Sequence, residues 1–184
     1  MSRKNHLPFV GSGSEVAVAL TPAIRALLAA LVSEVLDLLG PAPDDPLAAA
    51  LDTTPVDRPD DPALRRLLPD GYADEVDGGR AASEFRRLTD GDLRAAKRAD
   101  AQVVLATLGA VSLSIEDAEA WARALNDVRL ALGARLGLEN DEDAERLVDA
   151  AEATGAPDPL LEEYEVLGLL QAGLIEALDE VAPF

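Results

Sequence analysis

The stretch from Ser114 to Leu138 constrains the fold more than any other part of the sequence. Its apolar side chains recur at offsets of 3, 7, 10, 14 and 18 from Ala118, which places them on one stripe of an α-helix and not on one face of a strand. Ser114 stands where a helix N-cap is expected, and Gly137 stands where a C-terminal glycine is expected. We therefore predict a central helix on which the other helices pack. The stripe consists of Ala118, Trp121, Leu125, Val128, Leu132 and Leu136.

One charged residue of this helix needs a partner. Arg129 lies on the shoulder of the apolar stripe, and Leu130 lies on the opposite face, so the helix is expected to be packed on two sides. An unpaired buried charge costs several kcal/mol, so a half-buried arginine must meet a carboxylate or a carbonyl oxygen. We expect the partner of Arg129 to lie elsewhere in the chain.

Composition predicts a mainly α fold around this helix. The 184 residues suffice for one domain with a core, and that core must be built from Leu, Val and Ala because aromatic residues make up only 3%. We predict a single domain over residues 1–184, formed by an orthogonal bundle of five to six helices. A β-hairpin is expected within residues 1–20, with residues 111–113 as a third strand, and the Pro- and Asp-rich residues 41–62 are expected to form a surface linker within the domain.

Four other helices can be placed from the sequence. Thr21 followed by proline predicts a helix that ends near Leu39. A short helix at 81–88 is expected to be followed by a longer one that Thr89 caps. The last helix is apolar around most of its circumference, so it is expected to be deeply packed or to form a homodimer through Tyr164–Leu178.

Charge and residue types exclude several classes of function. The net charge of −19 makes nucleic acid an unfavourable partner, because phosphates repel an acidic surface. No apolar run approaches the length of a membrane span, and the N-terminus lacks the apolar run of a signal peptide, so a cytoplasmic location is expected. There is no cysteine, which excludes disulfides and thiolate metal sites, and the single His6 cannot form a histidine cluster. We predict no cofactor and no metal.

Two strings of residues resemble a known family. The first runs from LLPD at 67–70 through EFRRLT at 84–89 to DLR at 92–94, and the second is LNDVRLALGARLG at 125–137. Together they resemble the actinobacterial family called domain of unknown function 2017, over nearly the whole chain. The resemblance implies a single domain and supplies no active site. Genes of this family often lie near the gene for a Clp protease adaptor, and some members carry a transcriptional regulator label.

The polar residues between 84 and 129 are the candidates for a site, and two interpretations remain open. Clustered arginines suit bidentate recognition of carboxylates or phosphates, so they predict a site for an anion or an acidic peptide. Charges on an apolar helical face usually pair within the fold, which predicts a buried structural network instead. The binding set is Arg86, Arg87, Arg94 and Arg98. The network set is Glu84, Lys97, Asp100, Asn126 and Arg129.

A function without catalysis fits these features best. No residue is predicted to be catalytic, since the paired carboxylates Asp90 and Asp92 are explained as helix-capping groups. We predict a protein-interaction or regulatory module with a protein partner. The alternative is a DNA-associated transcriptional regulator, for which Arg94, Lys97 and Arg98 are the only source of a basic helix face, and an enzyme is the least favoured class.

Overall fold

The computed structural model describes residues 8–44, 56–72, 79–155 and 158–181, so parts of the predicted hairpin region and of the predicted linker lie outside the described residues. The described residues form six helices and one small antiparallel sheet, which confirms the mainly α fold. The helices are α1 Pro22–Leu39, α2 Pro62–Leu67, α3 Arg80–Thr107, α4 Ile115–Arg135, α5 Asp141–Thr154 and α6 Pro159–Val181; the strands are β1 Phe9–Ser12, β2 Glu15–Val18 and β3 Ser112–Ser114.

The sheet has the strand order β1, β2, β3. The hairpin β1–β2 is confirmed, and the third strand is present one residue later than predicted. Val16 pairs with Leu113 across β2 and β3, and both side chains are buried. Phe9 of β1 lies edge-on against Trp121, with the ring centres 6.1 Å apart. The hairpin is therefore held by burial against the helices, as a two-stranded unit requires.

Helix α4 begins and ends at the predicted signals. The Ser114 hydroxyl accepts a hydrogen bond from the Asp117 amide at 3.1 Å. At the other end Gly137 adopts a φ of 71°, and the amide of Leu138 donates to the carbonyl of Gly133 at 2.8 Å. This is the Schellman arrangement, in which a residue with positive φ lets the chain return to the free carbonyls.

Trp121 occupies the middle of the core. Its side chain is fully buried, and its indole N–H donates to the hydroxyl of Thr107 at 2.8 Å. The apolar cluster around it draws buried residues from the strands and from five helices, between Phe9 and Leu178. Helix α5 differs, because none of its described side chains is buried. No helix in the described ranges combines the length and apolarity that crossing a membrane requires.

Helix α3 corrects one expectation. The predicted break before Thr89 is wrong, because α3 runs without interruption for 28 residues. The Thr89 hydroxyl donates to the Phe85 carbonyl inside the helix, at 2.9 Å, and does not cap an N-terminus. Ala82, Arg86 and Asp90 follow one another at a spacing of four and are all buried. Tertiary packing on that face keeps the segment helical across a residue that also suits an N-cap.

Candidate functional site

Arg94 and Arg98 close the C-terminal end of α1. The guanidinium of Arg94 donates to the carbonyl of Leu39 at 2.7 Å, and that of Arg98 donates to the carbonyl of Gly40 at 3.1 Å. Helix α1 has no basic residue in its own last turn. The two cations from α3 therefore satisfy carbonyls that the helix leaves free, at the end where a positive charge is favoured.

Arg86 connects α3 to the chain around α2. It is buried, forms an ion pair with Asp70, and donates from Nε to the carbonyl of Val56 at 3.0 Å. Arg58 reaches the same carboxylate at 3.3 Å. Asp90 is buried one turn along α3 from Arg86, and burial raises the pKa of Asp90 above its ordinary value. These contacts hold the segments around residues 56–58 and 70 against α3.

Arg87 pairs within its own helix. Its guanidinium donates to the Glu84 carboxylate at 2.7 and 3.1 Å, and this hydrogen bonding lowers the pKa of Glu84. The four arginines of the predicted binding set therefore lie at three separate places and do not converge on one point. Binding of an anion or acidic peptide by them stays a prediction.

Lys97 and Asp127 form the most buried ion pair between helices in the described ranges. The Lys97 ammonium lies 2.6 Å from the Asp127 carboxylate, whose side chain is 5% exposed against 20% for Lys97. Burial raises the pKa of Asp127, although the hydrogen bond and the charge of Lys97 act in the opposite direction. Asp100 does not join this pair, since Arg123 of α4 binds it with two contacts of 2.9 Å.

The predicted buried network is wrong for two of its five members. Glu84 and Asn126 are exposed. Asn126 lies on the outer side of α4, one turn beyond the exposed Arg123, so the solvent and not α3 faces its amide. Asp127 and Arg123 take part in the pairs between α3 and α4, and the network set included neither. The sequence did contain a signal for a second buried face of α4. Residues 120, 124, 127 and 131 recur at helical spacing, and all of them except Asp127 are alanines.

Arg129 finds its partners on α6. It donates to the amide oxygen of Gln171 at 2.9 Å and to the hydroxyl of Tyr164 at 3.1 Å. The guanidinium carbon lies 4.8 Å from the centre of the Tyr164 ring, close enough for a cation–π interaction. Its Nε is buried without a hydrogen-bond partner. Arg129 therefore does have partners elsewhere in the chain, as expected, and both are neutral side chains.

A cavity of about 410 Å³ opens beside Arg129, between α5 and α6. Arg129 of α4 and Tyr164 of α6 are among the residues that line it. Its walls combine apolar groups with three carboxylates. They are formed by Glu145, Val148, Asp149, Leu161, Glu165 and Gly168.

The outward side of α6 carries exposed apolar residues among acids. Leu169 is 75% exposed and Ile175 is 45% exposed. Ala172 between them is also exposed. We call Leu169, Ala172 and Ile175 the α6 outer face. Helix α6 contains six carboxylates and no basic residue: Glu162, Glu163, Glu165, Glu176, Asp179 and Glu180.

Comparison with known proteins gives a family and a set of relatives. The family model described as "Domain of unknown function (DUF2017)" matches residues 6–178. A protein of Mycobacterium leprae named "Putative oxidative stress regulator AosR" is 38% identical over 140 residues, covering 66% of this chain. The "Oxidative stress regulator AosR" of Mycobacterium tuberculosis is 37% identical over 138 residues, or 64% of this chain. The aligned region spans 60% and 63% of these two relatives. No solved structure matches the chain significantly.

Proposed function

Because the chain belongs to the family described as a domain of unknown function (DUF2017), and because proteins similar to it are named as regulators, we propose that it is a regulatory protein that acts without catalysis by binding a protein partner. The observation that carries this proposal is the α6 outer face. Leu169 exposes three quarters of its surface, whereas the other apolar residues of α6, apart from Ala172 and Ile175, are buried or half-buried. Exposed apolar residues that lie together on one helix are typical of a protein-binding surface.

The charge around the α6 outer face indicates the chemistry of the partner. Glu165, Glu176 and Asp179 are exposed on the same side of α6 as Leu169. A partner segment that is apolar in its centre and carries Lys or Arg at its edges complements this surface. We propose an amphipathic, basic segment as the occupant.

A homodimer through Tyr164–Leu178 is less favourable on this surface. Two copies of α6 packed against each other would set carboxylates against carboxylates, since α6 has no basic residue to pair with them. The bulky side chains Leu167, Leu170 and Leu174 are also buried in the core of the chain itself. A second copy could therefore use only the α6 outer face.

DNA binding has less support than a protein partner. The residues that could form a basic helix face are Arg94, Lys97 and Arg98. All three bond to α1, to the adjacent Gly40 or to α4. The net charge of −19 opposes phosphate binding further. We therefore propose that any regulation of transcription passes through a protein.

The names of the relatives refer to oxidative stress, and the residue types of this chain restrict how it could take part in such a response. Sensing by a thiol requires a cysteine, and none occurs in the 184 residues. We propose that this chain responds through its bound partner and not through a thiol of its own.

The proposal is tested by replacing Leu169 with glutamate. Partners captured from lysate by the unmodified chain are identified, and the basic amphipathic segment of each is then synthesised and titrated calorimetrically. We expect Leu169→Glu to weaken binding of that segment at least about tenfold, by removing an apolar contact and adding a like charge to the acidic surface. Val111→Glu is the matched control, because Val111 is 77% exposed and lies beside the sheet.

Three results would contradict the proposal. One is equal binding by the Leu169→Glu and Val111→Glu variants. Another is a stable homodimer, seen by light scattering, that Leu169→Glu dissociates. The third is salt-dependent binding of DNA at about 50 mM salt by the purified chain.

A further inference from the structure

The cavity between α5 and α6 offers a recess that the exposed α6 outer face lacks. We infer that it receives the side chain of a lysine or arginine from the bound segment, an inference that rests on the proposed function. The cavity lies beside the α6 outer face: Ala172 and Ile175 follow the cavity residue Gly168 at spacings of four and seven, which places them on the same side of the helix. A segment lying on α6 would therefore pass over the cavity.

The size and walls of the cavity suit a long aliphatic stem. Its volume of about 410 Å³ is in the range of small-molecule sites. Val148 from α5 and Leu161 from α6 supply apolar surface, and Gly168 adds no side chain to the lining beside the Arg129 guanidinium. Lysine and arginine bury their methylene groups along such surfaces while their charged ends remain near water or a counter-charge.

Three carboxylates provide that counter-charge. Glu145, Asp149 and Glu165 line the cavity, and none of them forms an ion pair within the described ranges. A cation entering beside them gains favourable Coulomb energy and needs no existing pair to be broken. The same three groups would repel a carboxylate or a phosphate.

Arg129 does not reverse this preference. Its charge is one against three, and its two terminal nitrogens donate to Gln171 and Tyr164, so that only its buried Nε lacks a partner. The guanidinium also lies over the ring of Tyr164, which lines the cavity. Helix α5, which contributes Glu145, Val148 and Asp149 to the lining, has no buried described side chain, so a shift of this helix over an incoming side chain would disrupt little core packing.

The test uses small probes in place of the unidentified partner. The chain, carrying ¹³C-labelled methyl groups, is titrated with n-butylguanidinium, butyrate or 1-butanol at constant ionic strength, and the methyl signals of Val148 and Leu161 are followed by NMR. We expect n-butylguanidinium to shift both signals in a saturable way, while butyrate and 1-butanol leave them unchanged. A triple variant, Glu145→Gln/Asp149→Asn/Glu165→Gln, is expected to weaken n-butylguanidinium binding at least about tenfold.

A second triple variant controls for net charge. Glu15→Gln/Asp37→Asn/Asp60→Asn removes the same number of carboxylates at exposed positions outside the cavity, and it should bind n-butylguanidinium as the unmodified chain does. Saturable shifts with butyrate, no shift with n-butylguanidinium, or equal weakening by both triple variants would overturn the inference. If the cavity does not bind n-butylguanidinium, this inference is wrong but the proposed function is still tested by Leu169→Glu. If Leu169→Glu does not weaken partner binding, the proposed function is wrong, even when the cavity binds n-butylguanidinium.

Discussion

Replacing Lys97 with methionine should destabilise the fold in a way that depends on pH. The substitution keeps the aliphatic volume and removes the only cation within 4.0 Å of Asp127 in the described ranges. Removal of one partner from a buried ion pair costs 3–5 kcal/mol, and because the Lys97 side chain is one-fifth exposed we expect a loss at the lower end, about 3 kcal/mol at pH 7.

The direction of the pH effect follows from Asp127. Burial already raises the pKa of Asp127 above its ordinary value of 3.8, and losing Lys97 removes the two largest influences that lower it. A carboxyl whose pKa is raised in the folded state favours folding below its unfolded pKa, and this contribution is lost as pH rises through the folded pKa. The stability difference between the unmodified chain and Lys97→Met should therefore shrink as pH falls from 7 through the raised pKa of Asp127, because the carboxyl then becomes neutral in the variant.

Urea unfolding at several pH values, followed by circular dichroism, measures this difference. The double variant Lys97→Met/Asp127→Leu is the matched control, because replacing both members of a buried pair by apolar groups is often neutral or stabilising. It should recover most of the free energy of unfolding at pH 7. A difference that is the same at pH 7 and pH 4, or a double variant no more stable than Lys97→Met, would refute the reasoning.

Three further predictions concern local structure and are checked by denaturant unfolding. Gly40 adopts φ 73° and ψ 176°, a region open essentially to glycine alone, so Gly40→Ala should cost about 1–3 kcal/mol, while Gly109→Ala, which has open space and no positive φ, should cost well under about 1 kcal/mol. Thr107→Val leaves the buried indole N–H of Trp121 without an acceptor and should cost about 1–3 kcal/mol, with an altered tryptophan emission spectrum; equal stability would contradict the assigned hydrogen bond. Ser114→Ala removes the N-cap of α4 and should cost about 1 kcal/mol, whereas Ser114→Asp should retain most of the stability.

The ends of α4 could be predicted from residues that lie close to them in the sequence. Ser114 and Gly137 determine its ends because capping depends on groups within a few residues along the chain. The start of α1 at Thr21 and Pro22 follows for the same reason. The expected core stripe on α4 also holds, except that Leu136, near the last turn, is only half-buried.

Helix α3 shows where local signals mislead. Thr89 has the properties of an N-cap, yet the segment around it stays helical because Arg86 and Asp90 are held in a buried face. Nothing within a few residues of Thr89 indicates that Asp70, 16 residues before Arg86, will pair with it. The free-energy difference between a helix that begins at Thr89 and one that continues through it is small, so a contact with a residue distant in sequence can decide between them.

The features of the candidate sites also fall into two groups, those that follow from the sequence and those that depend on the tertiary structure. The sequence by itself determined the helical class, the acidity of α6 and the need of Arg129 for a partner, because these follow from residue type and helical period. Only the tertiary structure decided that Arg94 and Arg98 bond to carbonyls at the end of α1, that Lys97 meets Asp127, and that α5 and α6 border an open cavity beside Arg129. Each of these depends on which helices pack together, and the pairing of helices far apart in sequence is set by how the whole core is filled.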